Sequence, residues 1–593
     1  MNERRGIAGQ LLRYGPLAAI AGVLVWHALQ YAFVTDDAFI SFVYSRNLAH
    51  HGSLVFNLGD RVEGYTNFLW TFVLGLLMVV HIPPEIASQV LGLGFGIATL
   101  WVTFRIVEHC AGTGEPRRTP FAYVTPLLLA LTAGYACWSS GGLETQMFTF
   151  FVASAFLEYA RADGDHRRFR RLGVYLALAA MTRPEGMLVT GVLGLHRLGL
   201  NLIRDRRLRP TTDEIRGVSN FLMLFVPYFA WRWWYYGYPF PNTYYVKASG
   251  AIQFHGDFAA AMWKAGFYYL HQWAVQTRIL WALPLAVVGL VVARPRTARF
   301  AMGTAAALLS VAYLGYTAKV GGDFMGLHRF IMPITVLVAV GVGLGLAVVA
   351  GWLRDRLARA DYAVAAVAAA LVVAFAVSQY HLTVRSLTWG NFASDHGIDT
   401  PAFLSVYTHD RAVVGMHMKD CFLDDDFAVF GGVGAQPYYS QVDGIDAFGL
   451  VSWDVAHCQP RTNARAGHDK WGEDGLLKKQ PRRDGHVCPP EHDHRYDWSK
   501  VHGGPPTFWF ARYAFSKGPV PSAGDWQGRA PAGNDYTQVT LHIGCTDSIH
   551  HDHPPGWKPA SPEPLQNGTF YTFYIRKERL KTFQCKGLVE RSR

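Results

Sequence analysis

The chain has 593 residues, of which 50% are hydrophobic and 17% charged, with a formal net charge of +11 and a mean hydropathy of +0.10. Soluble domains usually carry about 25% charged residues; here the apolar residues gather between Leu11 and His381, while Asp, His, Pro, Gly and Trp dominate the remainder. This distribution excludes a cytosolic enzyme, a disordered chain and a nucleic-acid binder with one basic patch.

A membrane-crossing helix needs about 20 mostly apolar residues, and in lipid only helices or closed barrels satisfy their own backbone groups. About eleven such segments follow one another, near residues 15–34, 85–108, 120–136, 146–160, 172–182, 187–200, 218–234, 279–294, 299–317, 329–351 and 361–381. The fifth and sixth are short, and read equally as half-spans meeting at Arg183-Pro184-Glu185-Gly186. No small-residue cleavage site follows Val34, so the first segment reads as an uncleaved helix, not a signal peptide.

Lys and Arg collect in cytoplasmic loops. Arg4, Arg5 and Arg13 precede the first segment, and Arg117, Arg118 and the Arg-rich stretches 161–171, 204–209, 294–299 and 354–359 occupy every second loop after it. The N-terminus is therefore expected inside and the C-terminal region outside. This topology absorbs the positive charge, so nucleic acid is not an expected partner. The predicted fold is a polytopic α-helical membrane protein, residues 1–381, followed by an extracytoplasmic mixed α/β or β-rich soluble domain, residues 382–593. Residues 427–430 and 570–575 read as strands. Cys421, Cys458, Cys488, Cys545 and Cys585 would face an oxidising compartment, where disulfides form, but spacing does not give the pairing.

The chemistry concentrates at the predicted exterior ends of the helices. Asp36 and Asp37 stand where the first apolar segment stops. Adjacent carboxylates repel and lose hydration, which demands a reason; capping a helix that begins at Ala38 would explain one of them, not both. Further along lie Arg61, Glu63, Tyr65 and Asn67, then Glu144 in a loop free of cations, then Lys247 after an aromatic belt. The stretch from Lys319 to Arg329 sets Asp323 beside His328 and Arg329. Lys247, His328 and Arg329 would together suit a phosphate. The plainer alternative has Asp323 simply pairing with Arg329 or Lys319. The clusters His492-Asp493-His494 and His550-His551-Asp552-His553 lack the spacing of established zinc motifs and read as solvated loops.

Asp36-Asp37 after the first helix, Val62-Glu63-Gly64-Tyr65-Thr66-Asn67, Gly321-Gly322-Asp323-Phe324-Met325 and the exterior C-terminal region together resemble the GT-C superfamily of membrane glycosyltransferases. Within it the chain is similar to the bacterial terminal arabinofuranosyltransferases of the mycobacterial cell-wall type, and Gly432 to Ser440 and Asp443 to Asp446 carry the likeness into the C-terminal half. The resemblance implies transfer of a sugar, arabinofuranose in the first instance, from a polyprenyl-phosphate donor to an acceptor glycan hydroxyl at the outer face of a bacterial cytoplasmic membrane. Asp36 or Asp37 would be the base. Lys247, His328 and Arg329, with Arg61 and Arg183 behind them, would stabilise the departing phosphate. Glu63, Glu144, Asn67 and Asp323 would orient the substrates, and Tyr65 would stack on them. A lone base favours inversion, whereas a second close carboxylate permits double displacement. The chemistry requires no cofactor and leaves a divalent metal open. The exterior domain would help bind the acceptor. The competing readings are a GT-C transferase of another sugar acting on protein or lipid, and a glycolipid transporter or flippase.

Overall fold

Every apolar segment anticipated from the sequence falls on a helix. The computed structural model describes residues 2–111, 120–247, 257–354, 356–357, 359–388, 398–458, 505–528, 530–531, 534–543 and 569–589. The two His clusters, Cys488 and Cys545 lie outside the described residues. Helix α1 (Asn2–Tyr31) is followed by α2 (Asp36–His51), turned 97° away from it. The turn has a chemical reason: α2 carries Asp36, Asp37, Arg46, His50 and His51, groups that are costly in hydrocarbon, so it runs along the end of α1 and does not extend it. Next come α3 (Phe68–Val79), a 12-residue apolar helix that the sequence reading passed over, and α4 (Pro84–Ala111).

Helices α5 (Val124–Leu131) and α6 (Ala133–Ser140) form a second bent pair. Then follow α7 (Thr145–Arg161), α8 (Arg168–Thr182), α9 (Glu185–Ile203), α10 (Thr212–Tyr236), the short α11 (Asn242–Lys247), α12 (Asp257–Gln276), α13 (Ile279–Val291), α14 (Ala298–Lys319), α15 (Met332–Arg354) and α16 (Ala360–Leu387). Glycine permits a close crossing: a Cβ on Gly173 of α8 would overlap the Gly217 carbonyl of α10.

By length and composition, five described helices could cross a membrane, or eight if each bent pair is one span. This is fewer than the eleven segments anticipated. Helices α7 and α8 have only 17 and 15 residues, and α10 carries Asp213, Glu214, Arg216 and Arg232. Helix α16 runs to Leu387, past the anticipated boundary at 381.

The C-terminal region does contain a sheet. Helix α17 (Pro401–Met418) starts with Pro401 and is capped by Thr400, whose hydroxyl accepts the Phe403 N–H at 3.2 Å. Strand β1 (Phe427–Phe430), helix α18 (Ala435–Ser440), strand β2 (Asp443–Asp446) and helix α19 (Trp453–Cys458) follow, then β3 (Phe508–Ser516), β4 (Trp526–Gly528), β5 (Tyr536–His542) and β6 (Phe570–Arg576). The strand order is β2-β1-β3-β6-β5, with β4 also paired to β3. Strand β1 runs parallel to β2 and β3, whereas β6 is antiparallel to β3 and β5. Parallel neighbours need a crossover, and between β1 and β2 that crossover carries α18. Phe430, Phe508, Phe510 and Phe573 fill the core under the sheet, and a disulfide joins Cys421 to Cys585.

Candidate active site

The two halves meet over the start of α2. Ring contacts of 5.3 and 5.5 Å join Phe39 of α2 to Tyr438 and Tyr439 of α18. The Tyr439 hydroxyl donates to Glu85 Oε1 at 2.9 Å, and Arg46 Nη1 donates to the Tyr438 carbonyl at 2.8 Å. Above this junction lies a cavity of about 470 Å³. Its floor is Asp36, Asp37 and Lys247; its roof includes Tyr407 and Arg411 of α17, Gly432 after β1, Asp446 at the end of β2 and Tyr513 of β3. The cavity therefore opens at the carboxyl ends of the parallel strands, where open α/β sheets generally take their ligands.

Thr35 holds the capping position of α2 with no side-chain cap bond, so Asp36 and Asp37 fall in the first turn and neither is the cap. Anions there also gain from the helix dipole. Their environments differ. Asp36 is buried, and its Oδ1 accepts the Ala435 N–H at 2.8 Å. A Cβ on Gly434 would overlap the Asp36 carboxylate, so glycine allows this approach. Burial pushes the Asp36 carboxyl up to about 6, against the opposing pull of Arg411 and the Ala435 N–H. Asp37 is half-buried and makes no hydrogen bond or ion pair among the described residues. Burial raises it too, opposed by Lys247 and Arg329 and reinforced by Asp323 and Glu144. Such a cavity offers a carboxylate that can take a proton, and an ammonium, Lys247, with no ion-pair partner among the described residues.

A second group of the anticipated residues stands just behind the cavity. Glu144 accepts from Asn67 Nδ2 at 2.9 Å and from Arg183 Nη1 at 2.7 Å. Arg329 Nε donates to Asp323 Oδ2 at 2.6 Å, the plainer of the two readings offered for that pair. Burial works against the Asp323 charge, yet Arg329 holds its carboxyl below the usual range. His328 departs from the sequence expectation of a cation: burial lowers it to about 3, so the ring is neutral, and its Nε2 donates to Gln276 Oε1 at 2.9 Å.

Of the anticipated residues only Asp36, Asp37 and Lys247 line the cavity, and Arg61, Glu63 and Tyr65 belong to neither group. Arg61 is exposed and stacks on Tyr235, 4.8 Å from the ring centre. Glu63 is buried against Arg232, whose Nε donates to both carboxylate oxygens at 3.1 and 2.8 Å. Tyr65 shares a 2.9 Å hydrogen bond with the Tyr236 hydroxyl. These side chains knit the loop after α2 to the end of α10. Conversely, Tyr407, Arg411 and Tyr513 line the cavity and were not singled out from the sequence. The available signal was Tyr407 and Arg411 set four apart, on one face of a helix.

No known family model matches the chain. Two curated proteins, the terminal β-(1→2)-arabinofuranosyltransferases of Mycobacterium tuberculosis and Corynebacterium glutamicum, are each 24% identical to it over 363 and 373 residues. The matches cover 55% of this chain and 55% and 50% of theirs, so the chain spans about half the length of the curated relatives it matches. Among solved structures, ArnT from Cupriavidus metallidurans bound to undecaprenyl phosphate matches with a TM-score of 0.50 at 12% identity, covering 74% of this chain and 86% of that one. The chain thus shares the fold of ArnT and resembles the terminal arabinofuranosyltransferases in sequence.

Proposed function

We propose that this chain is a membrane glycosyltransferase that moves a sugar, arabinofuranose in the first instance, from a polyprenyl-phosphate donor to a hydroxyl of an acceptor glycan. The observation that carries the reading is the cavity that sets Asp36, Asp37 and Lys247 against the C-terminal sheet. Two likenesses support it: the curated relatives are arabinofuranosyltransferases, and ArnT was solved with undecaprenyl phosphate. The loop charges and the likenesses favour a bacterial cytoplasmic membrane protein of several spans, N-terminus inside, with the C-terminal domain and the reaction on the outer face.

In this reading the acceptor hydroxyl gives its proton to Asp36 as its oxygen bonds to the anomeric carbon, and the bond from that carbon to the phosphate oxygen breaks. Asp36 suits the base because the Ala435 N–H fixes one oxygen and its affinity for a proton lies near neutrality. The leaving group is polyprenyl phosphate, already a stable anion, so it needs positive charge and no proton donor. Lys247 supplies that charge from the cavity, and Arg329 from behind Asp323. Glu144, Asn67 and Asp323 hold these groups in place, and the exterior domain receives the acceptor. The step as written needs no cofactor and leaves a divalent metal open.

The test is sugar transfer by the purified full chain in detergent, with radiolabelled polyprenyl-phosphate-arabinofuranose and an arabinan oligosaccharide. Transfer by the native chain, with Asp36→Asn binding donor but failing to turn over, supports the reading. Donor binding without transfer points to another acceptor, a protein or a lipid. If polyprenyl-phosphate sugars neither bind nor react, the glycosyltransferase reading falls and the transporter reading takes its place.

A further inference from the structure

Arg411 is a buried cation, 5% exposed, whose guanidinium has no carboxylate at contact distance among the described residues. Its guanidinium lies between two rings, 3.2 Å from the centre of Tyr407 and 4.9 Å from that of Tyr513. Nη2 donates to the Tyr513 hydroxyl, and Nη1 to the Tyr407 carbonyl at 3.4 Å. An arginine in a buried site keeps its charge, and the charge is costly unless something nearby answers it. The two ring faces answer part of it. The remainder is answered through space by Asp36, which lines the same cavity as Arg411 and for which Arg411 is the foremost opposite charge.

The same carboxylate is gripped from a second direction. The Ala435 N–H holds Oδ1, and Gly434 has no Cβ to push it away. Arg411, Gly434 and Ala435 all belong to the C-terminal region, whereas Asp36 belongs to the helical half. We infer that the C-terminal domain aims and charges the base: the Ala435 N–H fixes the Asp36 carboxylate, and the Arg411 guanidinium, stacked between Tyr407 and Tyr513, keeps it ionised inside a buried cavity. Arg411 is thus a positioning residue acting through Asp36, and docking of the two halves completes the catalytic group. The inference rests on the reading of Asp36 as the base.

The sign of the effect follows from charge. A nearby cation favours the carboxylate over the carboxylic acid, so removing it makes Asp36 hold its proton to higher pH. The other charged groups lining the cavity are Asp37, Lys247, Asp399, Asp410, Asp446 and Asp525. All are retained in the variants below, so a difference between lysine and glutamine at position 411 reports the charge at that position.

The experiment measures kcat/KM for arabinofuranosyl transfer across pH 5 to 9 with the full chain in detergent, comparing native, Arg411→Lys and Arg411→Gln. The expected result is an acid limb displaced upward by about one pH unit in Arg411→Gln and restored to the native position in Arg411→Lys. A limb that stays in place in Arg411→Gln while the plateau falls would overturn the inference, since a merely structural arginine would act that way. Asp36→Asn separates the two layers: if it transfers at the native rate, the base assignment itself fails, and if it is inactive while the limb in Arg411→Gln does not move, only the role of Arg411 fails. Should Arg411→Gln not fold, Gly434→Ala serves. It is expected to lower kcat at least tenfold with donor KM unchanged, and unchanged kcat would overturn the aiming role.

Discussion

Glu63 and Arg232 face one another inside the protein, with Arg232 Nε reaching both carboxylate oxygens at 3.1 and 2.8 Å and Arg232 Nη2 donating to the Pro239 carbonyl at 2.6 Å. The pair ties the loop between α2 and α3 to α10 and to the turn after it, and so holds the segment leading to Lys247. Breaking a buried pair leaves one charge unanswered, which typically costs about 3–5 kcal/mol. Glu63→Ala is therefore expected to lower the thermal unfolding temperature in detergent substantially. The double variant Glu63→Ala with Arg232→Met should recover part of the loss, because no lone charge remains. If Glu63→Ala instead kept its unfolding temperature and lost only donor affinity, the sugar-orienting role first read from the sequence would stand.

Lys247 belongs to the opposite category, a cation that the described fold does not consume. A charged hydrogen bond is worth roughly 1.5–3 kcal/mol, about 10–100-fold in affinity. Lys247→Met is expected to weaken binding of a polyprenyl-phosphate donor by about that factor while leaving thermal stability near native. Equilibrium binding of undecaprenyl phosphate, compared with the native chain and with Lys247→Arg, measures it. Native-like binding by the Met variant would remove Lys247 from the donor site.

Activity and stability should respond to pH in opposite directions, and Asp36 is the reason. Burial, ahead of the opposing pull of Arg411, raises its carboxyl to about 6. The base works only when deprotonated, so kcat/KM should fall about tenfold per unit as the pH drops below about 6. The folded protein binds this proton more tightly than the unfolded chain does, whose Asp titrates near ~4. The contribution of Asp36 to stability is thus fully present below ~4 and declines as the pH rises through about 6. Asp36→Asn should abolish the first dependence and flatten the second, as read by unfolding temperature from pH 4 to 7. A native activity plateau extending unchanged to pH 4.5 would contradict the assignment.

His328 looked like a phosphate ligand from its place beside Arg329. Its ring is 3% exposed, neutral, and committed to Gln276. His328→Gln should therefore leave donor affinity within about threefold, whereas loss of one buried hydrogen bond costs about 1 kcal/mol of stability. Titrating donor against both forms above pH 6 decides the point, and a tenfold weakening would return His328 to the binding site.

The contrast between Lys247 and His328 shows what the sequence made legible. Paired acids at the end of an apolar run stand out because lipid makes charge expensive, so Asp36, Asp37 and Lys247 could be picked out by position alone. Glu63 could be picked out too, but its role could not: its partner Arg232 is 169 residues away, and whether a carboxylate is free or already paired is decided by the fold. Asn67 and Glu144, 77 residues apart, posed the same difficulty. Arg411 was invisible for a further reason. Its stacking on Tyr407 is local, but Tyr513 and Asp36 reach it only when β3 and α2 meet over one cavity. Helix α3 was not legible as a span because its 12 residues are too few to cross a bilayer.

The bond between Cys421 and Cys585 closes a separation of 164 residues and fastens the end of α17 to the segment after β6. Helix α17 carries Tyr407 and Arg411 into the cavity, so the crosslink secures the roof of the site from its far end. Removing a native disulfide from a small secreted domain typically costs about 2–5 kcal/mol, chiefly because the bond restricts the unfolded chain. Cys421→Ser with Cys585→Ser is expected to lower the unfolding temperature of the C-terminal domain, and dithiothreitol should do the same to the native chain while leaving the double variant unaffected. Because the bond lies away from Asp36 and Lys247, transfer measured well below the unfolding temperature should stay within about threefold of native. A large loss of transfer under those conditions would mean that α17 shifts when the crosslink is cut, and that the placement of Arg411 over Asp36 depends on it.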